Sequence, residues 1–208
     1  MTPPAHMNQS AVVVALQALG ERLALDAPEL EQVEIIVIGG AAGMLAGMLP
    51  PERTTSDCDV LHVDPPDATA AVMAAARMVA DQIGLSEQWL NPGGMPWVGG
   101  LPPGWRDRVR RVLQSGPLTV ASVGRLDLVV LKLLAGRPQD IEDLEALRLV
   151  PAELDAVRAH LDGWSDDSWP RGVVDEAIAL LDALAESVAS RRALRAHGAS
   201  EEAAHGAA

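Results

Sequence analysis

Apolar positions along the chain follow first a helical and then an alternating period, and each change of period marks an element. AVVVALQALGERLAL (11–25) carries its apolar residues on a helical stripe that Asp26-Ala27-Pro28 stops, which predicts a packing helix. VEIIVIGG (33–40) is β-branched and ends in a glycine pair, the pattern of a buried strand turning sharply into a helix. AAGMLAGML (41–49) is that helix, and Pro50-Pro51 end it. DCDVLHVD (57–64) alternates with a period of two. Asp57, Asp59, Leu61 and Val63 are therefore predicted on one face of a strand, with Cys58 and His62 on the other. DATAAVMAAARMVADQIG (67–84) reads as an Ala-rich helix, with Asp67 as N-cap and Gly84 as C-cap.

Residues 86–104 carry Pro92, Gly93, Gly94, Pro96, Gly99, Gly100, Pro102 and Pro103, too many breakers for a regular element. RVRRVLQ and LTVASVG, joined by Ser115-Gly116-Pro117, read as a hairpin over about 108–122, the first half also fitting a helix. Helices are expected at 126–136, 139–149, 151–161 and 171–195, with Trp164 and Trp169 as packing anchors around the acidic SDDS, and a polar tail without order at 198–208. The resulting fold class is α/β (α+β): a small mixed sheet with flanking helices. The organisation is an N-terminal helix (1–29), a mixed domain (30–150) and a C-terminal helical segment (151–197).

Composition narrows the chemistry. Of 208 residues 49% are hydrophobic and 22% charged, with no Tyr or Phe, so one aliphatic core forms and wholesale disorder is excluded. No apolar run reaches the roughly 18–20 residues of a spanning helix, and the N-terminus shows no secretion signal. A lone Cys58 excludes disulfide frameworks and Cys-rich zinc sites and points to a cytoplasmic setting. A net charge of −13 argues against coating nucleic acid by bulk electrostatics. A local patch of Arg106, Arg108, Arg110 and Arg111 beside Trp97 and Trp105 is either a seat for an RNA end or a solvated hairpin face.

The candidate site starts from two carboxylates. Asp57 and Asp59, two apart on a strand, point the same way with roots about 6–7 Å apart, close enough to share a hard divalent cation and costly to hold together without one. The Gly39-Gly40 turn exposes backbone N–H groups that suit a phosphate bridged by such a cation to the Asp pair. Each feature alone also occurs as an ordinary turn. Arg53 and Thr55 either touch that phosphate or cap the turn. Lys132, set among apolar neighbours in LVVLKLLAG (128–136), must reach the rim or meet a counter-charge. Asp140 and Asp143, three apart on the next helix and following Arg137, offer one, although Asp140 equally fits a structural cap.

Together these residues resemble the minimal nucleotidyltransferases of the polymerase-β-like superfamily, within the uncharacterised-domain and AbiEii-type toxin group. IGGAAGMLAGMLPPERTTSDCDVLHVD (38–64) looks like the strand, Gly-Gly turn, helix and Arg-Thr-x-Asp-x-Asp signature of that group. DLVVLKLLAGRPQDIEDLEAL (127–147) looks like its Lys-Leu-x-Ala-x-Arg-x-x-Asp-x-x-Asp-Leu motif. The resemblance covers about 33–150 and implies transfer of a nucleoside monophosphate from an NTP. It implies Mg²⁺ (or Mn²⁺) on Asp57 and Asp59, triphosphate against Gly39 and Gly40, and Lys132 neutralising its charge, with Arg53, Thr55 and Arg137 near the nucleotide and Asp140 and Asp143 as auxiliary groups. RNA or protein hydroxyls are the implied acceptors, with an antitoxin as partner in a toxin–antitoxin or defence setting. The sequence departs from the wider pattern in having Gly40 where Ser is usual and no acid in the hairpin, so Asp64, Asp107 and Asp127 are the candidates for a third carboxylate.

Overall fold

A computed structural model describes residues 6–164 and 169–205, the stretch 192–205 by its backbone alone. The chain divides into two compact units, Met1–Leu131 and Lys132–Ala208.

The first unit is built on a five-stranded mixed sheet in the order β3-β2-β1-β5-β4. Its strands are β1 (Val33–Ile38), β2 (Cys58–Asp64), β3 (Leu90–Asn91), β4 (Arg110–Ser115) and β5 (Leu118–Ser122). β1 runs antiparallel to β2 and parallel to β5, while β2 and β3 are parallel and β4 and β5 form the expected hairpin. Helices α1 (Gln9–Asp26), α2 (Gly39–Leu45) and α3 (Thr69–Ile83) belong to the same unit. α1 packs on α3 and across β4, where Ser115 Oγ donates to the Gln17 carbonyl at 2.9 Å. One core cluster joins Ile36, Ile38, Leu61, Ala121 and Val123 of the sheet to Leu128 and Leu131 of α4 (Arg125–Ala135).

In the second unit, α5 (Pro138–Leu147), α6 (Pro151–Asp162) and α7 (Arg171–His205) follow. α6 and α7 pack together and are joined by the Arg158–Asp182 ion pair. Trp164 stands edge-on to both His160 and Trp169, at 5.3 and 5.8 Å. The backbone of 198–205 continues α7, whereas the SDDS segment and the last residues of the tail, 206–208, lie outside the described residues.

Three expectations are corrected. The strict alternation of β2 fails because the ladder shifts register between Ile36 and Val37, pairing Ile36 with His62 and Val37 with Val60. The extra residue, Leu61, forms a bulge that reverses the alternation beyond it. His62 therefore shares the Asp59 face, while Val63, opposite Ile35, joins the face of Cys58 and Val60. Asp67 does not cap α3: a 3₁₀ turn at Pro66–Ala68 precedes the helix, and Thr69 Oγ1 bonds the Pro66 carbonyl at 2.7 Å. Gly84 does end it, at φ +75°. Finally, 86–104 is not irregular throughout. Trp89, fully buried, donates from Nε1 to the Ala76 carbonyl of α3 at 2.8 Å, β3 follows, and Pro92–Gly100 winds as a 3₁₀ run along β2.

Candidate functional site

Sheet pairing assembles the site. Ile38 ends β1 opposite Asp59 of β2, so the chain leaving β1 enters the Gly39-Gly40 turn beside the Asp59 carboxylate. Gly39 has φ +71°, the left-handed region that glycine tolerates, and a Cβ placed there would lie 3.5 Å from Asp59 Oδ2. At Gly40 a Cβ would overlap the Arg53 guanidinium, which lies directly over that glycine. Arg53 Nη1 also donates to the Thr54 carbonyl at 2.9 Å.

Asp57 immediately precedes β2, and both carboxylates are half-buried. Thr55 is buried, bridges to Met7 through two backbone hydrogen bonds of 2.8 and 2.9 Å, and donates from Oγ1 to the Asp57 carbonyl at 3.1 Å. It ties the turn that delivers Asp57. Between the two acids, Cys58 is fully buried on the opposite face. Burial, reinforced by the charges of Asp59 and then Asp57, pushes its thiol pKa far above the usual range.

Sequence reading missed the other wall. Asn91 of β3 is the register partner of Asp59, and its Oδ1 accepts from the Gly93 N–H at 2.8 Å. A Cβ on Gly93 would meet Asn91 Oδ1 at 2.6 Å and Asp59 Oδ1 at 3.2 Å. A two-residue strand has no periodicity to read; the available signal is the Asn91-Pro92-Gly93 punctuation of an Asx turn.

Among the described residues, no three His, Cys, Asp or Glu groups are arranged to hold a metal ion. Of the third-carboxylate candidates, Asp64 sits opposite Glu34 at the far end of β2 and Asp107 is exposed in a 3₁₀ turn at Trp105–Arg108. Asp127 is fully buried and paired with Arg108, Nη2 to Oδ1 at 2.6 Å and Nε to Oδ2 at 3.0 Å. That hydrogen bond raises the Arg108 pKa. Ala121 of β5 and Val123 just beyond it join the Ile36–Ile38 core cluster, so the part of the sheet across β1 from Asp59 is apolar.

Lys132, Arg137, Asp140 and Asp143 meet in the second unit. The Lys132 ammonium is 2% exposed and sits 3.0 Å from Asp140 Oδ1 and 2.5 Å from Asp143 Oδ2. Arg137 Nε lies 2.7 Å from Asp140 Oδ2 while its own side chain is 67% exposed. Burial opposes charge on Asp140, but the Arg137 hydrogen bond, the Lys132 charge and the Lys132 hydrogen bond outweigh it, holding the carboxyl below its ordinary range.

The basic patch is smaller in the fold than in the sequence. Arg108 is committed to Asp127 and to the Pro102 and Pro103 carbonyls, and the Arg106 guanidinium lies 4.6 Å over the Trp105 ring. Arg110 and Arg111 stay exposed on edge strand β4.

No helix among the described residues is long and apolar enough to cross a membrane. No curated protein and no solved structure matches the chain. A family model described as a nucleotidyltransferase of unknown function (DUF6036) matches residues 15–161. That span contains every strand of the sheet, both Asp-bearing motifs and the Lys132 cluster, and the chain belongs to this nucleotidyltransferase family.

Proposed function

We propose that the chain moves a nucleoside monophosphate from an NTP, such as ATP, onto an acceptor hydroxyl of an RNA end or a protein, with Mg²⁺ or Mn²⁺ held by Asp57 and Asp59. The observation that carries this reading is the approach of Asp59 to Gly39, where a Cβ would stand 3.5 Å from Oδ2. The side-chain-free turn and the carboxylate thus border one space. Two half-buried carboxylates fit a small hard cation that keeps waters and takes its remaining ligands from substrate phosphates. Such a cation supplies charge neutralisation at the phosphates.

The chain's own residues position the reactants. Gly39 and Gly40 let a polyphosphate approach the backbone N–H groups, and Arg53, lying over Gly40, adds positive charge. Thr55 holds the turn before Asp57. The acceptor oxygen bonds to the α-phosphorus, the bond from that phosphorus to the bridging oxygen of the β-phosphate breaks, pyrophosphate leaves, and the hydroxyl proton passes to water. Lys132, Asp140 and Asp143 we assign first to the α4–α5 corner, whose buried charges they pair. The resemblance to polymerase-β-like and AbiEii-type proteins extends the proposal to a toxin–antitoxin or defence setting with an antitoxin partner.

A second reading, a nucleotide-binding module with weak or no transfer, is favoured by the lack of a third carboxylate, His or Cys beside the Asp pair among the described residues. Thermal shift with each NTP, with and without Mg²⁺, followed by transfer of α-labelled NTP to RNA and protein, separates the two. Stabilisation that needs Mg²⁺ and vanishes in the Asp57→Ala/Asp59→Ala variant supports a nucleotide site, and label transfer selects the enzyme. Absence of any NTP-dependent shift in the wild type sinks both readings.

A further inference from the structure

We propose that Asn91 supplies the third protein oxygen to the cation site at Asp57 and Asp59, taking the place of a third carboxylate. The inference deepens the reading above and rests on it. Three observations point to Asn91. The parallel ladder between β2 and β3 pairs Asp59 with Asn91, and register partners project from the same face of a sheet. Both side-chain oxygens border one point in space, since a Cβ on Gly93 would meet Asn91 Oδ1 at 2.6 Å and Asp59 Oδ1 at 3.2 Å. Glycine at position 93 keeps that space clear. The third observation is what surrounds the pair. Across β1 from Asp59, Ala121 of β5 and Val123 just beyond that strand are buried and apolar, and no His, Cys, Asp or Glu completes a group of three among the described residues.

A carboxamide oxygen is a hard donor of the kind that Mg²⁺ and Mn²⁺ accept. Asn91 Oδ1 uses one lone pair on the Gly93 N–H, at 2.8 Å, which leaves the second for a cation and fixes which way the oxygen points. The set then carries two negative charges instead of three. Affinity for the cation depends correspondingly more on the phosphates of the nucleotide that arrives with it.

The test is Mn²⁺ binding to the full chain, read by electron paramagnetic resonance with Mn²⁺ alone and with Mn²⁺–ATP, so that no turnover is needed. Asn91→Asp keeps an Oδ acceptor for Gly93 and adds charge, and it is expected to tighten Mn²⁺ about tenfold; Asn91→Ser, too short to reach the cation, is expected to weaken it about tenfold. Unchanged melting temperatures and circular dichroism show that the turn survives in both. If Asn91 only caps the 3₁₀ run, both variants bind within about twofold of the wild type while Asp59→Asn loses binding, and this inference alone falls. If the wild type binds no Mn²⁺ in either form, or Asp59→Asn binds as well as the wild type, the assignment of the Asp pair falls and Asn91 with it.

Discussion

At the scale of single residues, the two glycines of the turn do different work, and their substitutions separate accordingly. Gly39 holds φ +71°, so Gly39→Ala forces an L-residue into the left-handed region and sets its methyl against Asp59 Oδ2. The expected cost is about 1–2 kcal/mol, seen as a lower urea midpoint. Gly40 has no such backbone constraint; what its Cβ would strike is the far end of the flexible Arg53 side chain. Gly40→Ala is therefore expected to leave stability within about 0.5 kcal/mol of the wild type while displacing the guanidinium, so it weakens NTP-dependent stabilisation instead. Equal stability losses in the two variants would contradict this division. Cys58 gives a reading of the same neighbourhood. Fully buried on the face opposite the two carboxylates, with its thiolate disfavoured, it is expected to resist alkylation by iodoacetamide at pH 8 in the folded chain and to react once urea unfolds it. Rapid labelling of the native protein would show that the strand carrying Asp57 and Asp59 opens readily.

At the scale of elements, the α4–α5 corner depends on a buried charge cluster. Lys132→Met leaves Asp143 without its ammonium and Asp140 with Arg137 alone, which is expected to cost about 3–5 kcal/mol. Lys132→Met combined with Asp143→Leu recovers part of that loss, because a buried carboxylate goes with the cation. A Lys132→Met chain that melts normally yet loses its NTP response would instead move Lys132 to the nucleotide. The pH dependence follows from the depressed Asp140 pKa. A carboxyl held lower in the folded than in the unfolded chain adds stability above its unfolded pKa and loses it as pH falls through the folded one. Urea midpoints of the wild type should drop through the acid range, and Asp140→Asn should flatten that limb. The Lys132 cluster was legible because its four members lie within twelve positions, on or between two strongly periodic helices. β1, β2 and β5 were legible for a like reason, as runs with β-branched residues closed by turn residues, whereas β4, with Val112 as its one β-branched residue, fitted a helix as well. The bulge at Leu61 was not, since an extra residue in a ladder depends on the partner strand and leaves DCDVLHVD looking evenly alternating. Asn91 and the Arg108–Asp127 pair were hidden because both are made by tertiary pairing, one through a two-residue strand and the other across nineteen positions.

For the molecule as a whole, a net charge of −13 sets the terms on which a polyanion binds. An NTP brings its own negative charge to a site that already holds two carboxylates, and two arginines of the basic patch are already engaged, Arg108 with Asp127 and Arg106 against the Trp105 ring. Arg53 places one positive charge over Gly40. NTP without a divalent cation is therefore expected to leave the melting temperature unchanged, and Mg²⁺–NTP to raise it. At a ligand concentration of about 100 times Kd the gain is roughly 2.7 kcal/mol, or about 5–10 °C for a chain of this length. Raising salt separates the contributions. Screening over about 8 Å at 0.15 M weakens long-range repulsion between the acidic surface and the nucleotide, but leaves inner contacts between cation, carboxylate and phosphate largely intact. The Mg²⁺-dependent shift should accordingly persist from 50 to 300 mM salt. A shift produced by metal-free NTP at low salt and abolished at high salt would mean that a surface cation patch, and not the Asp57–Asp59 pair, holds the nucleotide.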